Sequence, residues 1–232
     1  MQLKIDNISK SFGNLKVLED FSICFTQKKI NCIFGPSGCG KSTLMNLMTG
    51  LIPTDKGNTV GTENMSYSYV FQEDRLLPWA TIKENVMFVL ESIHDKKRAE
   101  EITEKYLSLV DLADFKNHYP QQLSGGMRQR VSIARAFAYG GDILIMDEPF
   151  KGLHLEIKKD IMDYIGNTTN NKFIFFITHD VEEAVYLADS IYIFKGPPLL
   201  LDRQLDIDIP FNQREINKKE LENIKTKIKN SI

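Results

Sequence analysis

Long apolar runs are missing from this 232-residue chain. Its longest ones, such as 173–177, fall far short of the roughly 20 residues that a spanning helix needs, so any work at a membrane must be shared with a partner. An excess of one charge is missing too. The 29 basic and 31 acidic residues leave a net charge of −2, which excludes the broad basic surface of a general nucleic-acid binder and leaves only local patches. Cysteine is scarce: Cys24, Cys32 and Cys39 are odd in number and lack metal-ligand spacing, so they read as free thiols in a reducing compartment. No basic, apolar, small-residue leader opens the chain, and a secretory signal is not expected. There is no internal repeat or low-complexity segment, and 167–171 reads as a polar turn. What is present, with 42% hydrophobic residues, fits one domain, or one domain with a subdomain, around a substantial core.

The most informative stretch is Gly-Pro-Ser-Gly-Cys-Gly-Lys-Ser-Thr, Gly35 to Thr43. An apolar run, Ile30 to Phe34, enters it as a buried strand would, and Leu44, Leu47 and Met48 leave it with helical spacing. Gly35, Gly38 and Gly40 let the backbone turn N–H groups inward around phosphate oxygens, and the helix start adds its own unpaired donors. Pro36, Ser37 and Cys39 complete the loop, Cys39 as just a small residue. Lys41 suits the β- and γ-phosphates, Ser42 carries a hydroxyl for Mg²⁺, and Thr43 can donate to a neighbouring phosphate. Nucleotide phosphate binding follows from this context.

In chain order, 2–8, 18–26 and 29–34 read as strands, with a turn over Lys10 to Asn14. Phe12 is open to two readings there, a staple for the turn or an aromatic that stacks on a purine. Short strands are expected at 58–62 and 66–71. Gln72 then opens an irregular stretch, Glu73-Asp74-Arg75-Leu76-Leu77-Pro78-Trp79. Thr81 and Glu84 form a capping-box pattern for a helix to Glu91, and another helix runs from Lys96 to Val110 with Lys96, Lys97 and Arg98 on a solvated face.

Leu123-Ser124-Gly125-Gly126-Met127-Arg128 follows, with Ser124 as N-cap of a helix to Ala138. Two glycines are poor helix formers, and a phosphate approaching this N-terminus closely would account for Gly125 and Gly126. A buried strand over 142–146 delivers Asp147 and Glu148 to its C-terminal edge, where open parallel sheets place chemistry. Asp147 suits Mg²⁺ and Glu148 suits a base for an attacking water. A helix over 155–167 leads to a strand over 172–178 that ends at His179, on the same sheet edge as Asp147. Asp180 and Glu183 suggest another capping box for a helix to Asp189. A hairpin closes over Gly196-Pro197-Pro198, and 217–230 reads as a loosely held amphipathic helix.

With these motifs in this order, the sequence resembles the ATP-binding subunit of an ABC transporter along essentially its whole length. The resemblance implies an α/β fold: a RecA-like phosphate-loop ATPase core with an antiparallel β-subdomain (1–72 and 140–208), an inserted α-helical subdomain (73–139) and a tail (209–232). It implies ATP and Mg²⁺ as ligands, bound by Gly35 to Thr43 with Asp147 at the metal, and Gln72 as a catalytic residue that binds the metal or the attacking water and senses the membrane subunit. Glu148 is implied as base, His179 as γ-phosphate clamp and Phe12 as adenine stack. Ser124, Gly125 and Gly126 are implied to grip ATP held by the other subunit of a head-to-tail homodimer that forms on ATP binding.

The stretch from Gln72 to Val86, with Leu-Leu-Pro-Trp, is similar to the nitrate, sulfonate and taurine branch of bacterial importers. An integral-membrane permease, a substrate-binding protein acting indirectly, a place on the cytoplasmic face of the membrane and no nucleic acid are implied. A soluble ABC ATPase of DNA repair or translation is the competing reading, and a phosphate-loop kinase or GTPase a more distant one. One departure stands out. Such importers continue Gly-Ala-Leu-Asp after the phenylalanine at 150, whereas this chain has Lys151-Gly152-Leu153-His154. His154 therefore stands where an aspartate would cap a helix and face the dimer partner.

Overall fold

A computed structural model of the chain describes residues 2–27, 29–168 and 172–230; most of the polar turn expected at 167–171 lies outside them. Two strands, β1 (Gln2–Phe12) and β2 (Leu15–Thr26), pair antiparallel with bulges and run up to Phe12 opposite Leu15. The turn expected over five residues is therefore only Gly13-Asn14, because strand pairing continues through Lys10 and Ser11. β3 (Ile30–Phe34) is buried at every residue, as its unbroken apolar run dictates. It feeds the phosphate loop and α1 (Lys41–Met48).

β4 (Lys56–Val60) joins the first two strands in a three-stranded antiparallel sheet, order β2-β1-β4. β5 (Tyr67–Val70), β6 (Ile143–Asp147), β7 (Phe173–Thr178), β8 (Ser190–Lys195) and β9 (Leu200–Asp206) complete a second sheet, order β5-β6-β7-β3-β8-β9. Only β9 runs antiparallel in it, closing the hairpin expected from Gly196-Pro197-Pro198.

Side-chain alternation divides the second sheet between two apolar clusters. Phe173, Phe175 and Ile177 pack with Leu44, Leu47 and the apolar residues of the first sheet, such as Phe25. Ile174 and Phe176 face the opposite way, among residues of α4 (Gly125–Tyr139), α5 (Leu155–Asn167) and α6 (Val181–Leu187). The helices that cover this side explain why β6 and β7 are apolar on both faces.

Between β5 and β6 the chain forms α2 (Ile82–Met87), α3 (Lys96–Leu109) and α4. The capping box closes as expected: Glu84 N–H donates to Thr81 Oγ1 at 3.2 Å, and Thr81 N–H to Glu84 Oε2 at 2.7 Å. The helix nevertheless stops at Met87, short of Glu91. Leu90 and Ile93 donate three residues back instead, so the turn buries Leu90 and leaves Phe88 exposed. Ser124 caps α4 by accepting from Met127 N–H, and Gly140 ends it in the left-handed conformation at φ 69°.

At α6 the expected box is only half made. Asp180 Oδ1 accepts from Glu182 N–H at 2.8 Å, while Asp180 N–H donates to Thr178 Oγ1, not to Glu183. The carboxylate of Glu183 is drawn elsewhere, to Thr178 and Lys158. The tail is also held more firmly than its composition suggests. Leu221 and Ile228 of α7 (Lys218–Lys229) are buried, and Arg214, almost fully buried, donates to Asp189 Oδ1 at 2.8 Å and to the carbonyls of Tyr186 and Ile209.

Candidate active site

Four neighbouring parallel strands, β5, β6, β7 and β3, end at one edge of the sheet. At or just beyond their last residues stand Gln72, Asp147-Glu148, His179 and Gly35 respectively. Topology thus gathers side chains that are 37 to 144 residues apart from Gly35 in sequence, at the position where open α/β sheets bind ligands.

The loop between β3 and α1 is shaped by its glycines. Gly38 has φ +80° with open space where a Cβ would sit, so it is conformation alone that favours glycine there. Lys41 is buried, and its ammonium donates to the carbonyls of Gly35 at 2.9 Å and Pro36 at 2.7 Å. The cation is thus already held within the loop by the loop's own backbone. Cys39 turns into the core and is fully buried, so its size is used in packing against Leu44 and Val17.

Asp147 is buried at the end of β6. Burial pushes its carboxyl above the usual carboxylate range, the nearby charge of Glu148 adds to the rise, and a hydrogen bond from Ser42 opposes it. Glu148 adopts φ +48°, a left-handed conformation that a non-glycine residue holds at roughly 1–3 kcal/mol. Two bonds fix it: its N–H donates to Ile177 O at 3.0 Å, and its Oε1 lies 2.8 Å from His179 Nδ1. With a carboxylate as acceptor, Nδ1 carries the proton and Nε2 is left to face outward. The Glu148 side chain is 15% exposed and the His179 ring 61%, so the pair borders solvent.

Gln72 is exposed. Phe71 before it stacks on Tyr69 at 4.0 Å, and the Arg75 guanidinium lies 3.8 Å above the Phe71 ring. Phe12 is 51% exposed, with the Lys10 ammonium 5.5 Å from its ring centroid. Lys10 is held by Asp55 at 2.8 Å, and Asp55 also accepts from Ser11 N–H at 2.8 Å. Neither Asp55 nor Lys10 is marked out by the sequence, since both look like ordinary turn charges.

Ser124 and Gly125 are exposed at the start of α4. Gly126 has a reason of its own within the chain: a Cβ there would sit 2.8 Å from the carbonyl oxygen of Gly152, downstream of Glu148. A phosphate is not needed to explain that glycine. Trp79 is 75% exposed, so it does not pin the helices as a buried tryptophan would, while Leu76 and Leu77 beside it are half-buried. His154 caps α5 by position alone, with no side-chain hydrogen bond to the helix.

The ABC transporter family profile matches residues 18–151. The bicarbonate transport ATP-binding protein CmpD of Synechocystis sp. is 37% identical over 211 residues, which cover 84% of this chain and 75% of that protein. The nitrate import ATP-binding protein NrtD of the same organism is 36% identical, covering 90% of this chain and 84% of its own. The aliphatic sulfonates import ATP-binding protein SsuB of Bacillus cereus is 33% identical, covering 98% and 94%. Among solved structures, the dimeric post-hydrolysis state of the ATP-binding cassette MJ0796 bound to ADP and Pi matches with a TM-score of 0.79. It is 26% identical and covers 88% of this chain and 98% of that one.

Proposed function

Because this chain belongs to the ABC transporter family, we propose that it is the ATP-hydrolysing subunit that powers import of a small anion, such as nitrate, a sulfonate, taurine or bicarbonate, through a membrane permease. The observation that carries the site assignment is the shared sheet edge, where Gln72, Asp147, Glu148, His179 and the phosphate loop meet. The anion class rests on relatives that are bicarbonate, nitrate and sulfonate import proteins. Nothing in the chain favours a soluble role in DNA repair or translation.

In this reading the N–H groups of Gly35 to Thr43 surround the ATP phosphates, and Lys41 turns from the Gly35 and Pro36 carbonyls to the β- and γ-phosphates. Phe12 offers the ring face away from Lys10 to adenine. Ser42, Asp147 and Gln72 would hold Mg²⁺. The donor set fits a hard cation, since Asp147 is a buried carboxylate with a hydroxyl partner and all three residues supply oxygen. When bound, the ion neutralises charge on the phosphate oxygens.

Glu148 takes a proton from the attacking water, and His179, held through Nδ1–H and protonated at Nε2 as well when ATP is bound, donates Nε2–H to the γ-phosphate. Positioning and charge neutralisation supply most of the rate. Ser124, Gly125 and Gly126 serve the nucleotide of a second copy in a head-to-tail dimer. The division into core (1–72 and 140–208), helical subdomain (73–139) and tail (209–232) belongs to the same reading, supported by the mutual packing of α2, α3 and α4. So does a place on the cytoplasmic face of the membrane, with a substrate-binding protein delivering cargo to the permease.

Trp79, Leu76 and Leu77 form the docking surface for the permease, supported by the exposure of Trp79 and of Phe88 nearby in sequence. The test is co-purification of the chain with the permease encoded beside it, followed by anion uptake in vesicles. Trp79→Ala should weaken co-purification about tenfold while the isolated protein keeps its ATPase activity and melting temperature. Undiminished co-purification and uptake would remove the docking assignment.

A further inference from the structure

Behind His179 lies a polar ring, buried at Thr178 and Glu183, that the chemistry above does not use. Glu183, buried on the first turn of α6, accepts the Thr178 hydroxyl on Oε2 at 2.5 Å and the Lys158 ammonium on Oε1 at 2.5 Å. Thr178 Oγ1 in turn accepts from Asp180 N–H at 3.0 Å, so one hydroxyl bridges both neighbours of His179 to the buried carboxylate. Lys158 also lies 3.4 Å from Asp180 Oδ2.

Lys158 stands on the first turn of α5, where its N–H donates to His154 O. The segment 149–154 connects that turn directly to Glu148. The ring is therefore closed: from Glu148 through His179, Thr178, Glu183 and Lys158 to α5, and back along the chain to Glu148. Both partners of the 2.8 Å contact between His179 and Glu148 stand at strand ends, on the segments that lead into α6 and α5, and the Lys158–Glu183 pair ties those two helices together. Helix capping alone needs much less, because Asp180 already caps α6 by accepting from the Glu182 and Glu183 N–H groups, without the Glu183 carboxylate.

We propose that Thr178, Glu183 and Lys158 are positioning residues that hold His179 Nδ1 on Glu148, so that the base and the phosphate contact stay in register through turnover. The inference rests on the assignment of Glu148 and His179 in the preceding subsection, and its readout is separable from that assignment. With four histidines in the chain, ring ¹⁵N resonances are assignable by difference against His179→Asn.

In the ATP-free full-length protein, His179 should show one fixed tautomer with Nδ1 protonated. Thr178→Val removes the bridging hydroxyl at nearly constant volume. It should average the tautomers and lower kcat about tenfold with KM for ATP within twofold, and Thr178→Ser should restore both. Glu183→Gln, which keeps an acceptor for Thr178 and loses the ion pair, should give a smaller fall in kcat, about threefold, with the same loss of a single tautomer. If Thr178→Val does not fold, Glu183→Gln decides. A folded variant of either kind with an unchanged His179 spectrum and kcat within twofold overturns the proposal. If His179→Asn itself leaves kcat unchanged, it is the assignment of the site that fails, whatever the spectrum shows.

Discussion

Arg128 donates from Nε to Asp74 Oδ2 at 2.8 Å, joining the first turn of α4 to the stretch that begins at Gln72. The same arginine reaches Leu123 O at 2.9 Å, and Arg135 donates to the carbonyls of Asp74 and Arg75. From Arg75 the contact passes through the stacked Phe71 and Tyr69 rings to Asn46 of α1, which accepts from the Tyr69 hydroxyl at 3.0 Å. The helix after the phosphate loop is thereby connected to the helix that begins Gly125-Gly126.

Asp74→Asn is expected to change stability little and coupling more. About a third of each side chain in the pair is exposed, and such pairs contribute roughly 0–1 kcal/mol. The melting temperature should fall by no more than about 4 °C, while ATPase turnover in the permease complex falls several-fold more than in the isolated protein. Arg128→Lys should behave similarly, since one ammonium does not reproduce the fork that reaches Asp74 and Leu123 together. Equal losses in the two settings would remove the coupling role.

The ring of Phe12 has Lys10 on one side and is half exposed, which leaves one face for a base. Stacking of a base on an aromatic side chain is worth about 1–3 kcal/mol. Phe12→Ala should therefore raise the ATP Kd by about tenfold with kcat at saturation unchanged, and Phe12→Trp should retain affinity. Calorimetric titration distinguishes this from the staple reading, in which affinity stays constant and thermal stability drops.

His154 provides no side-chain acceptor to α5, whose first turn carries Glu156 as its acidic residue. An aspartate there would accept from the free N–H groups and suit the positive end of the helix, which is worth about 0.5–2 kcal/mol. His154→Asp is expected to raise the melting temperature by about 1–8 °C for a chain of this size. In a Glu148→Gln background it should also strengthen ATP-driven dimerisation, by restoring an anionic partner at the expected interface. Sedimentation equilibrium measures the second effect. An unchanged dimerisation constant would make the departure at 154 neutral for assembly.

How much of this was legible beforehand depended on whether the cause was local. Strand β3, the phosphate loop and α1 follow from one continuous stretch, as do the Thr81–Glu84 box and the Ser124 cap, because each needs only neighbouring residues. The convergence of Asp147, Glu148 and His179 was legible in part, since each stands at the end of an apolar strand. The early stop of α2, the diversion of Glu183 from its box and the burial of Arg214 were not. Each is decided by a partner far away in sequence: Leu90 enters a core built from other helices, Glu183 meets Lys158, and Arg214 meets Asp189. The positive φ of Glu148 has no sequence signal either, as glutamate rarely takes it.

The measurement that tests the account most directly is ATP turnover by Glu148→Gln, with binding followed in the same preparation. The substitution keeps the shape of the side chain and a hydrogen-bond acceptor for His179 while removing the base. ATP affinity should stay within about threefold, hydrolysis should fall by at least about 100-fold, and an ATP-bound dimer should accumulate on size exclusion. Wild-type turnover by the purified Glu148→Gln protein, with contaminating ATPase excluded by a Lys41→Ala control, would contradict the assignment of Glu148 as the base.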